Sequence, residues 1–232
     1  MDYAIIAAGE GSRLRQEGIQ TPKPLVLIQG EPLIDRLINI FIRANASSIS
    51  IIVNEEMTVL QEHLKKMQLP IPLQLIVKST PSSMHSFYEL SKLLKNERFC
   101  LTTVDTIFKE TDFSKYITAF ENEETDGLMA VTDYIDDEKP LYVETDCSLR
   151  ITGFHDEAPK QPQYISGGIY CLKQSAIPVL QRSMDKGIFR MRNYQRQLIE
   201  DGLNIKAFPF SKILDVDHAD DIEKANRFVT NM

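Results

Sequence analysis

The chain has 232 residues, which suits a single domain or a single domain with a modest insertion. Its formal net charge of −7 argues against a nucleic acid or an anionic membrane surface as a partner. The three widely spaced cysteines lack the CxxC spacing of a zinc site, and no signal-peptide pattern or membrane-length apolar run is present, so we expect a cytoplasmic protein.

Up to about residue 125, short β-type runs alternate with helical patterns. The predicted strands are 3–8, 48–53, 73–77 and 99–104. One predicted helix is opened by Pro32, and two more lie at 55–67 and 82–94. Strands that alternate with helices form βαβ units, so this half of the chain predicts a parallel sheet with helices on both faces.

After about residue 125 the pattern changes to closely spaced strands. The strand-like runs are 127–133, 141–145, 149–154, 164–172, 204–209 and 213–216. The helical segments are 174–185, 192–201 and a final helix from about 219. No linker rich in proline, glycine or serine divides the chain, so we predict one α/β domain whose second half adds a small antiparallel region and a second substrate wall.

A glycine-rich loop directly follows the first predicted strand, at the sheet edge where open α/β folds bind ligands. Gly9 and Gly11 allow positive φ and close approach of a ligand, and successive amides in such a turn form an anion-binding nest. Arg13 and Lys23 add positive charge, and the prolines on either side of Lys23 stiffen the backbone there. These features favour a phosphate site over a flexible surface loop.

The loop also carries a two-part motif. The stretch Ala7-Ala8-Gly9-Glu10-Gly11-Ser12-Arg13-Leu14, followed by Pro22-Lys23-Pro24-Leu25, resembles the signature of the nucleotidyltransferases that make nucleotide-sugars. The resemblance implies a Rossmann-like, three-layer α/β/α fold with a mixed, mainly parallel sheet. It also implies Mg²⁺, a nucleoside triphosphate (NTP) bound by residues 1–125, and a phosphorylated acceptor bound by residues 126–232. By the same resemblance, residues 7–12 bind the nucleotide, and Arg13 and Lys23 are catalytic.

Two further segments resemble the family's metal ligands. Val104-Asp105-Thr106-Ile107-Phe108 matches a pattern in which an aspartate after the fourth strand binds the metal. Near the C-terminus, the run 215–222 matches the segment that supplies a second carboxylate. Sugar-phosphate members suggest Asp215 as this ligand and smaller cytidylyl-type members suggest Asp217, and we favour Asp217.

The remaining substrate contacts follow from the same resemblance. The turn that reads the base corresponds to 79–83, which adds Thr80, Ser82 and Ser83 to the nucleotide site, and it lacks the family's usual glycine, so the base is left open. The acceptor wall corresponds to Glu144, Glu157 and Gly168. Ala158 stands where the family has a lysine, and Lys160, two positions along, is the expected substitute.

In the implied reaction, an acceptor phosphate oxygen attacks the α-phosphorus of the NTP and pyrophosphate leaves. Because the nucleophile is already an anion, the reaction needs closely placed cations rather than a histidine base. Mg²⁺ held by Asp105 and Asp217 or Asp215, together with Lys23 and Arg13, would supply them.

Several functions fit these residues. The leading hypothesis is a sugar-1-phosphate nucleotidyltransferase. A cytidylyltransferase for phosphocholine or a similar small phosphate is favoured by the short chain and the Asp215-Val216-Asp217 pattern. A molybdopterin guanylyltransferase and a nucleotide-binding regulatory subunit without turnover are further alternatives, the latter because of Ala158. Homo-oligomerisation is left open.

Overall fold

A computed structural model describes residues 1–136, 138–159 and 163–230. Its strands, in chain order, are β1 (Asp2–Ala7), β2 (Leu27–Ile28), β3 (Glu31–Pro32), β4 (Ser48–Val53), β5 (Leu73–Val77), β6 (Arg98–Thr103), β7 (Thr106–Phe108), β8 (Gly127–Thr132), β9 (Tyr142–Thr145), β10 (Ile151–His155), β11 (Tyr164–Lys173), β12 (Ile205–Phe210) and β13 (Ile213–Asp215). Its helices are α1 (Ser12–Gln16), α2 (Leu33–Arg43), α3 (Thr58–Lys66), α4 (Ser83–Ser91), α5 (Glu110–Asn122), α6 (Ala176–Asp185), α7 (Met191–Glu200) and α8 (Ala219–Thr230).

The described strands build one large sheet and two small ribbons. In the large sheet, β5, β4, β1 and β6 are parallel neighbours, as βαβ units require. Strand β11 then runs antiparallel to β6 on one side and to β8 on the other, and β12 pairs with β8 in parallel. The β9–β10 hairpin joins the start of β11. The predicted mixed sheet with an antiparallel subregion is confirmed.

Helices cover both faces of this sheet. Successive side chains of a strand point to opposite faces, and β1 follows this rule: Tyr3 and Ile5 enter one core cluster, whereas Ala4 and Ile6 enter the other. Helices α2, α3 and α5 pack in the first cluster, and α4, α6 and α7 pack in the second. The three-layer α/β/α arrangement is therefore confirmed.

Some elements differ from the sequence-based expectation. Helix α3 begins at Thr58 rather than at 55, because the Asn54 side chain accepts a hydrogen bond from the Glu56 amide at 2.9 Å and holds a turn there. Helix α5 was not predicted, although its buried residues Phe113, Tyr116, Ile117 and Phe120 have helical spacing. The short helix α1 and strand β7 were not predicted either, whereas β13 matches the strand predicted at 213–216.

None of the described helices is long and apolar enough to cross a lipid bilayer. The cytoplasmic location stays a prediction, as does the division of the chain into a nucleotide-binding and an acceptor-binding half.

Candidate active site

A cavity of about 600 Å³ opens at the carboxyl ends of the parallel strands. It is lined by most of the residues that the motifs singled out: Ala8, Gly9, Glu10, Gly11, Ser12, Arg13, Lys23, Thr80, Ser82, Ser83, Asp105 and Asp217. Ala7 does not line it, because its side chain is buried in the core cluster on the opposite face of the sheet. We call this space the nucleotide cavity.

Three polar residues of the nucleotide cavity were missed by sequence reasoning: Asn54, Ser86 and Thr103. Asn54 directly follows β4, and Asp105 follows β6 after one intervening residue. The position of Asn54 at a strand end was therefore the signal that could have identified it. The hydroxyl oxygens of Ser86 and Thr80 lie 2.6 Å apart and share a hydrogen bond. This hydrogen bond joins helix α4 to the predicted base-reading turn.

The two glycines of the opening loop play different parts. Gly11 has φ of +61° and precedes α1, and a Cβ at this position would lie only 3.1 Å from the Cβ of Lys23. Gly9 does not have positive φ, and a Cβ there would meet no atom within 4 Å, since this stretch of backbone faces the open cavity. Gly11 thus allows the Lys23 segment to pack against the loop.

Lys23 lies at the centre of the site. It begins a 3-10 turn, Lys23–Leu25, that Pro22 and Pro24 stiffen. Its Nζ donates hydrogen bonds to Asp105 Oδ2 and, at 2.6 Å, to Asp217 Oδ1. The lysine side chain is only 10% exposed. One ammonium group therefore joins the opening loop, the end of β6 and the C-terminal segment.

The charges in this cluster stabilise one another. Burial alone would lower the pKa of Lys23, but the carboxylates of Asp105 and Asp217 outweigh it and raise that pKa above its usual value. Burial would likewise raise the pKa of Asp105, and the Lys23 ammonium, helped by a hydrogen bond from Thr103, lowers it instead. Lysine and aspartate are both held in their charged forms.

Arg13 completes the cluster. Its Nη1 donates to Asp217 Oδ2 at 2.9 Å, and its Nη2 lies 3.9 Å from Glu138 Oε2. Asp217 therefore binds a different cation with each of its oxygens. The structure brings together four residues that are up to 204 positions apart in the sequence.

The carboxylate pair has the donor chemistry of a Mg²⁺ site. Oxygens of Asp105 and Asp217 already converge on one small cation, the Lys23 ammonium, which acts as a stand-in ion. Mg²⁺ needs only one or two protein carboxylates when water and phosphate oxygens complete its octahedron. No group of three or more His, Cys, Asp or Glu residues suited to a metal occurs within the described ranges.

Asp215 lies elsewhere. It ends β13, where it pairs with Thr106 of β7, and it lines a second cavity of about 550 Å³ that we call the acceptor cavity. Arg13 and Asp217 line both cavities and so mark their junction. Of the two candidate ligands, Asp217 is the one beside Lys23, and the metal-binding roles themselves stay predictions.

The acceptor cavity is strongly acidic. Lys224 lies within 3.4 Å of three of its carboxylates, and its hydrogen bonds to two of them, Asp221 first and then Asp136, raise the pKa of the lysine. Within the part of the chain that the structure describes, six carboxylates line the cavity: Asp136, Glu138, Asp215, Asp217, Asp220 and Asp221. Its other lining residues include Tyr134, Ser166 and Gly167. Most of these residues were not predicted from the sequence.

None of the described residues predicted for the acceptor wall lines this cavity, although Gly168 adjoins Gly167, which does. Gly168, with φ of +72°, follows Gly167 in the irregular stretch of β11 and lies against Thr103 and Thr106. Glu144 instead lies 3.0 Å from His155 on the β9–β10 hairpin, and exposed Glu157 follows that hairpin. Neither glutamate lines a cavity described above. Lys160 falls outside the described residues, and all four roles stay predictions.

Comparisons with known proteins show the family and the fold to which the chain belongs. The chain is 24% identical over 199 residues to a D-glycero-alpha-D-manno-heptose 1-phosphate guanylyltransferase of Campylobacter jejuni, covering 84% of this chain and 87% of that one. It is 32% identical over 85 residues, 35% of each chain, to a 2-aminoethylphosphonate cytidylyltransferase of Lancefieldella rimae. The inositol-1-phosphate CTP transferase from T. maritima superposes with a TM-score of 0.83 at 19% identity, covering 99% of this chain and 94% of that one, which shows the shared fold.

The family itself is settled by a match along nearly the whole chain. The family model described as nucleotidyl transferase matches residues 3–232. Members of this family commonly use a divalent metal ion, and they join an NTP to a sugar phosphate or a similar phosphate acceptor. The chain therefore belongs to the nucleotidyl transferase family and is a nucleotidyltransferase.

Proposed function

We propose that the protein transfers a nucleotidyl group from an NTP to a sugar-1-phosphate and releases pyrophosphate. The NTP lies in the nucleotide cavity and the sugar phosphate in the acceptor cavity. The observation that carries this proposal is the cluster of Lys23, Arg13, Asp105 and Asp217 where the two cavities meet. The intact cluster argues against a regulatory subunit without turnover.

The reaction balances without a protein base. An oxygen of the acceptor phosphate attacks the α-phosphorus and forms a new P–O bond. The bond from the α-phosphorus to the bridging oxygen of the β-phosphate breaks, and pyrophosphate leaves with the electron pair. The attacking oxygen carries no proton that must be removed, so the obstacle is repulsion between two anions.

Cations at the junction reduce that repulsion. Lys23 and Arg13 lie where the transferring and leaving phosphates meet the acceptor, and both side chains keep their positive charge at neutral pH. Asp105 and Asp217 would hold Mg²⁺, which supplies additional positive charge and orients the α-phosphate. Glycines and hydroxyls of the nucleotide cavity position the rest of the NTP.

The walls of the acceptor cavity suit a polyhydroxylated substrate. Carboxylates only accept hydrogen bonds when ionised, and sugar hydroxyls can donate to them. The heptose-phosphate enzyme that matches most of this chain supports a sugar as the acceptor. Arg13, at the junction, would contact the acceptor phosphate.

A second acceptor class is favoured by the excess of negative charge. Among the described residues, six carboxylates face only Arg13, Lys224 and His218 in this cavity. A phosphate or phosphonate with an amino or quaternary ammonium group would be attracted to these carboxylates and to the face of Tyr134. The partial match to a 2-aminoethylphosphonate cytidylyltransferase agrees with this alternative.

A substrate screen tests the proposal. The four NTPs would be combined with sugar-1-phosphates, 2-aminoethylphosphonate and phosphocholine, and pyrophosphate release would be measured with Mg²⁺. We expect release that requires one NTP and one sugar-1-phosphate together, whereas faster release with the cationic acceptors would favour the second class. No acceptor-dependent release in any combination would contradict the proposal.

A further inference from the structure

We propose that Lys23 and the divalent metal ion compete for the same pair of carboxylates. In the free enzyme the Lys23 ammonium binds both carboxylates. A bound nucleotide attracts the ammonium away from them, so that the metal can bind. This inference rests on the proposed metal site at Asp105 and Asp217, and it assigns Lys23 a second part, the control of metal affinity.

The contacts leave little room for a second cation. Lys23 Nζ donates hydrogen bonds to Asp217 Oδ1, at 2.6 Å, and to an oxygen of Asp105. Arg13 donates to the other oxygen of Asp217 at 2.9 Å. Asp105 also accepts a hydrogen bond from the Thr103 side chain. A Mg²⁺ ion binds carboxylate oxygens at about 2.0–2.1 Å, so an ion on these oxygens would stand directly against the ammonium. Two unpaired cations at that separation repel each other strongly.

The Lys23 side chain can move while its backbone stays fixed. The 3-10 turn between Pro22 and Pro24 and the contact with Gly11 hold its main chain and Cβ. Beyond Cβ, the lysine is a flexible four-carbon stem. The ammonium also borders the nucleotide cavity, where a triphosphate would offer it new anionic partners. Rotation of the stem therefore exchanges carboxylate partners for phosphate partners.

Competition of this kind couples the two ligands. The free enzyme binds the metal weakly, because binding must break the contacts of Lys23 with both carboxylates. Once a triphosphate holds the ammonium, the carboxylates are available, so the nucleotide raises the metal affinity. By thermodynamic linkage, the metal raises the nucleotide affinity by the same factor.

Binding of Mn²⁺ to the nucleotide-free, full-length protein tests the inference without any turnover. The Kd of Mn²⁺ would be measured by electron paramagnetic resonance or calorimetry for the wild type and for Lys23→Met. We expect Lys23→Met to bind Mn²⁺ at least about 10-fold more tightly, within the range of typical coupling factors. An unchanged or weaker affinity in this variant would overturn the inference.

Two variants separate direct competition from other causes. Arg13→Met removes an equal charge that contacts only Asp217 of the pair, so it should tighten Mn²⁺ binding several-fold less than Lys23→Met. Equal gains in the two variants would show a general charge effect and overturn direct competition. If Lys23→Met does not fold, Lys23→Gln, with a neutral polar side chain, carries the same comparison.

Asp105→Asn distinguishes failure of this inference from failure of the metal site. If Asp105→Asn loses Mn²⁺ binding while Lys23→Met matches the wild type, the metal site stands and the competition is refuted. If Asp105→Asn binds Mn²⁺ as tightly as Lys23→Met does, the metal lies elsewhere, and the proposed metal site fails together with the inference.

Discussion

The nucleotide cavity and the acceptor cavity meet at Arg13 and Asp217, yet their walls differ in chemistry. Glycines and hydroxyls line much of the nucleotide cavity, and apart from Glu10 its charged side chains belong to the cluster around Lys23. The acceptor cavity is walled by carboxylates. An acidic wall repels a triphosphate, so the difference in charge favours the nucleotide cavity as the proposed NTP site.

The largest loss of activity is expected when a negative charge is removed from the cluster around Lys23. We expect Asp105→Asn to lower kcat/KM by roughly 10³-fold, because the amide lacks the charge that binds both Lys23 and the metal. Steady-state kinetics with saturating Mg²⁺ would measure it. Full activity of this variant, or of the wild type in excess chelator, would show that the junction does not work through a metal.

Lys23→Ala removes the opposite charge from the same place. We expect a loss of roughly 2–4 kcal/mol of transition-state stabilisation, the range for one preorganised charge contact. The loss should appear in kcat/KM, and the Lys92→Ala control should keep wild-type kinetics, since Lys92 lies in an exposed ion pair with Glu89. A Lys23→Ala enzyme with near-wild-type kcat/KM would remove the lysine from the mechanism.

Variants of Asp217 and Asp215 test which of the two aspartates acts in catalysis and which acts in acceptor binding. Asp217→Asn should lower kcat by roughly 10–100-fold, because Asp217 binds both Lys23 and Arg13. Asp215→Asn, which changes a residue of the acceptor cavity alone, should act mainly on the acceptor KM. The reverse order of effects on kcat would favour Asp215 as the metal ligand.

Variants of two exposed glutamates test where the acceptor binds. Glu138 lines the acceptor cavity and Glu157 does not. We expect Glu138→Gln to raise the acceptor KM by about 3–5-fold, the size of an exposed charge contact, with the NTP KM unchanged. Glu157→Gln is the matched control. A larger effect of Glu157→Gln would return the acceptor to the wall that the sequence motifs predict.

The smallest effect on activity is expected at the other end of β1. Asp2 accepts hydrogen bonds from Ser48, Lys95 and Asn96, and although burial raises its pKa, these bonds lower it below the usual value. Their contribution to stability is therefore present above the ordinary aspartate pKa of about 3.9 and is lost as the pH falls through the lower folded-state pKa.

Asp2→Asn should accordingly destabilise the protein by about 1–3 kcal/mol at pH 7 and leave both KM values unchanged. Denaturant unfolding at several pH values would measure the difference, which should shrink below about pH 4. A difference in the free energy of unfolding that stays constant down to pH 3 would contradict this account of Asp2.

The sequence predicted the nucleotide cavity better than the acceptor cavity for a physical reason. The loop containing Gly9 and Gly11 is local in the chain, and Asp105 follows a strand end, so short motifs report both. The acceptor cavity is assembled from separate segments near 132–136, 165–167 and 213–224, together with Glu138, which carry no common short pattern. Four of its carboxylates are local to 215–221, and only the fold brings Asp136 and Glu138 to them.

Helix α5 shows a different limit. Its buried aromatic residues have helical spacing, so the sequence does carry the signal for this helix. The ion pairs of Lys23 were beyond local reasoning, because they join positions 82 and 194 residues apart. Proline stiffening marked this lysine as unusual, whereas its partners followed only from the resemblance and the fold.

The most direct test of the central claim identifies the product of the wild-type enzyme by ³¹P nuclear magnetic resonance. With the NTP and acceptor that support turnover, we predict a phosphorus-oxygen-phosphorus linkage between nucleoside and acceptor, together with one equivalent of pyrophosphate. Release of orthophosphate, or pyrophosphate formed with free nucleoside monophosphate and no linked product, would contradict nucleotidyl transfer at the junction of the two cavities.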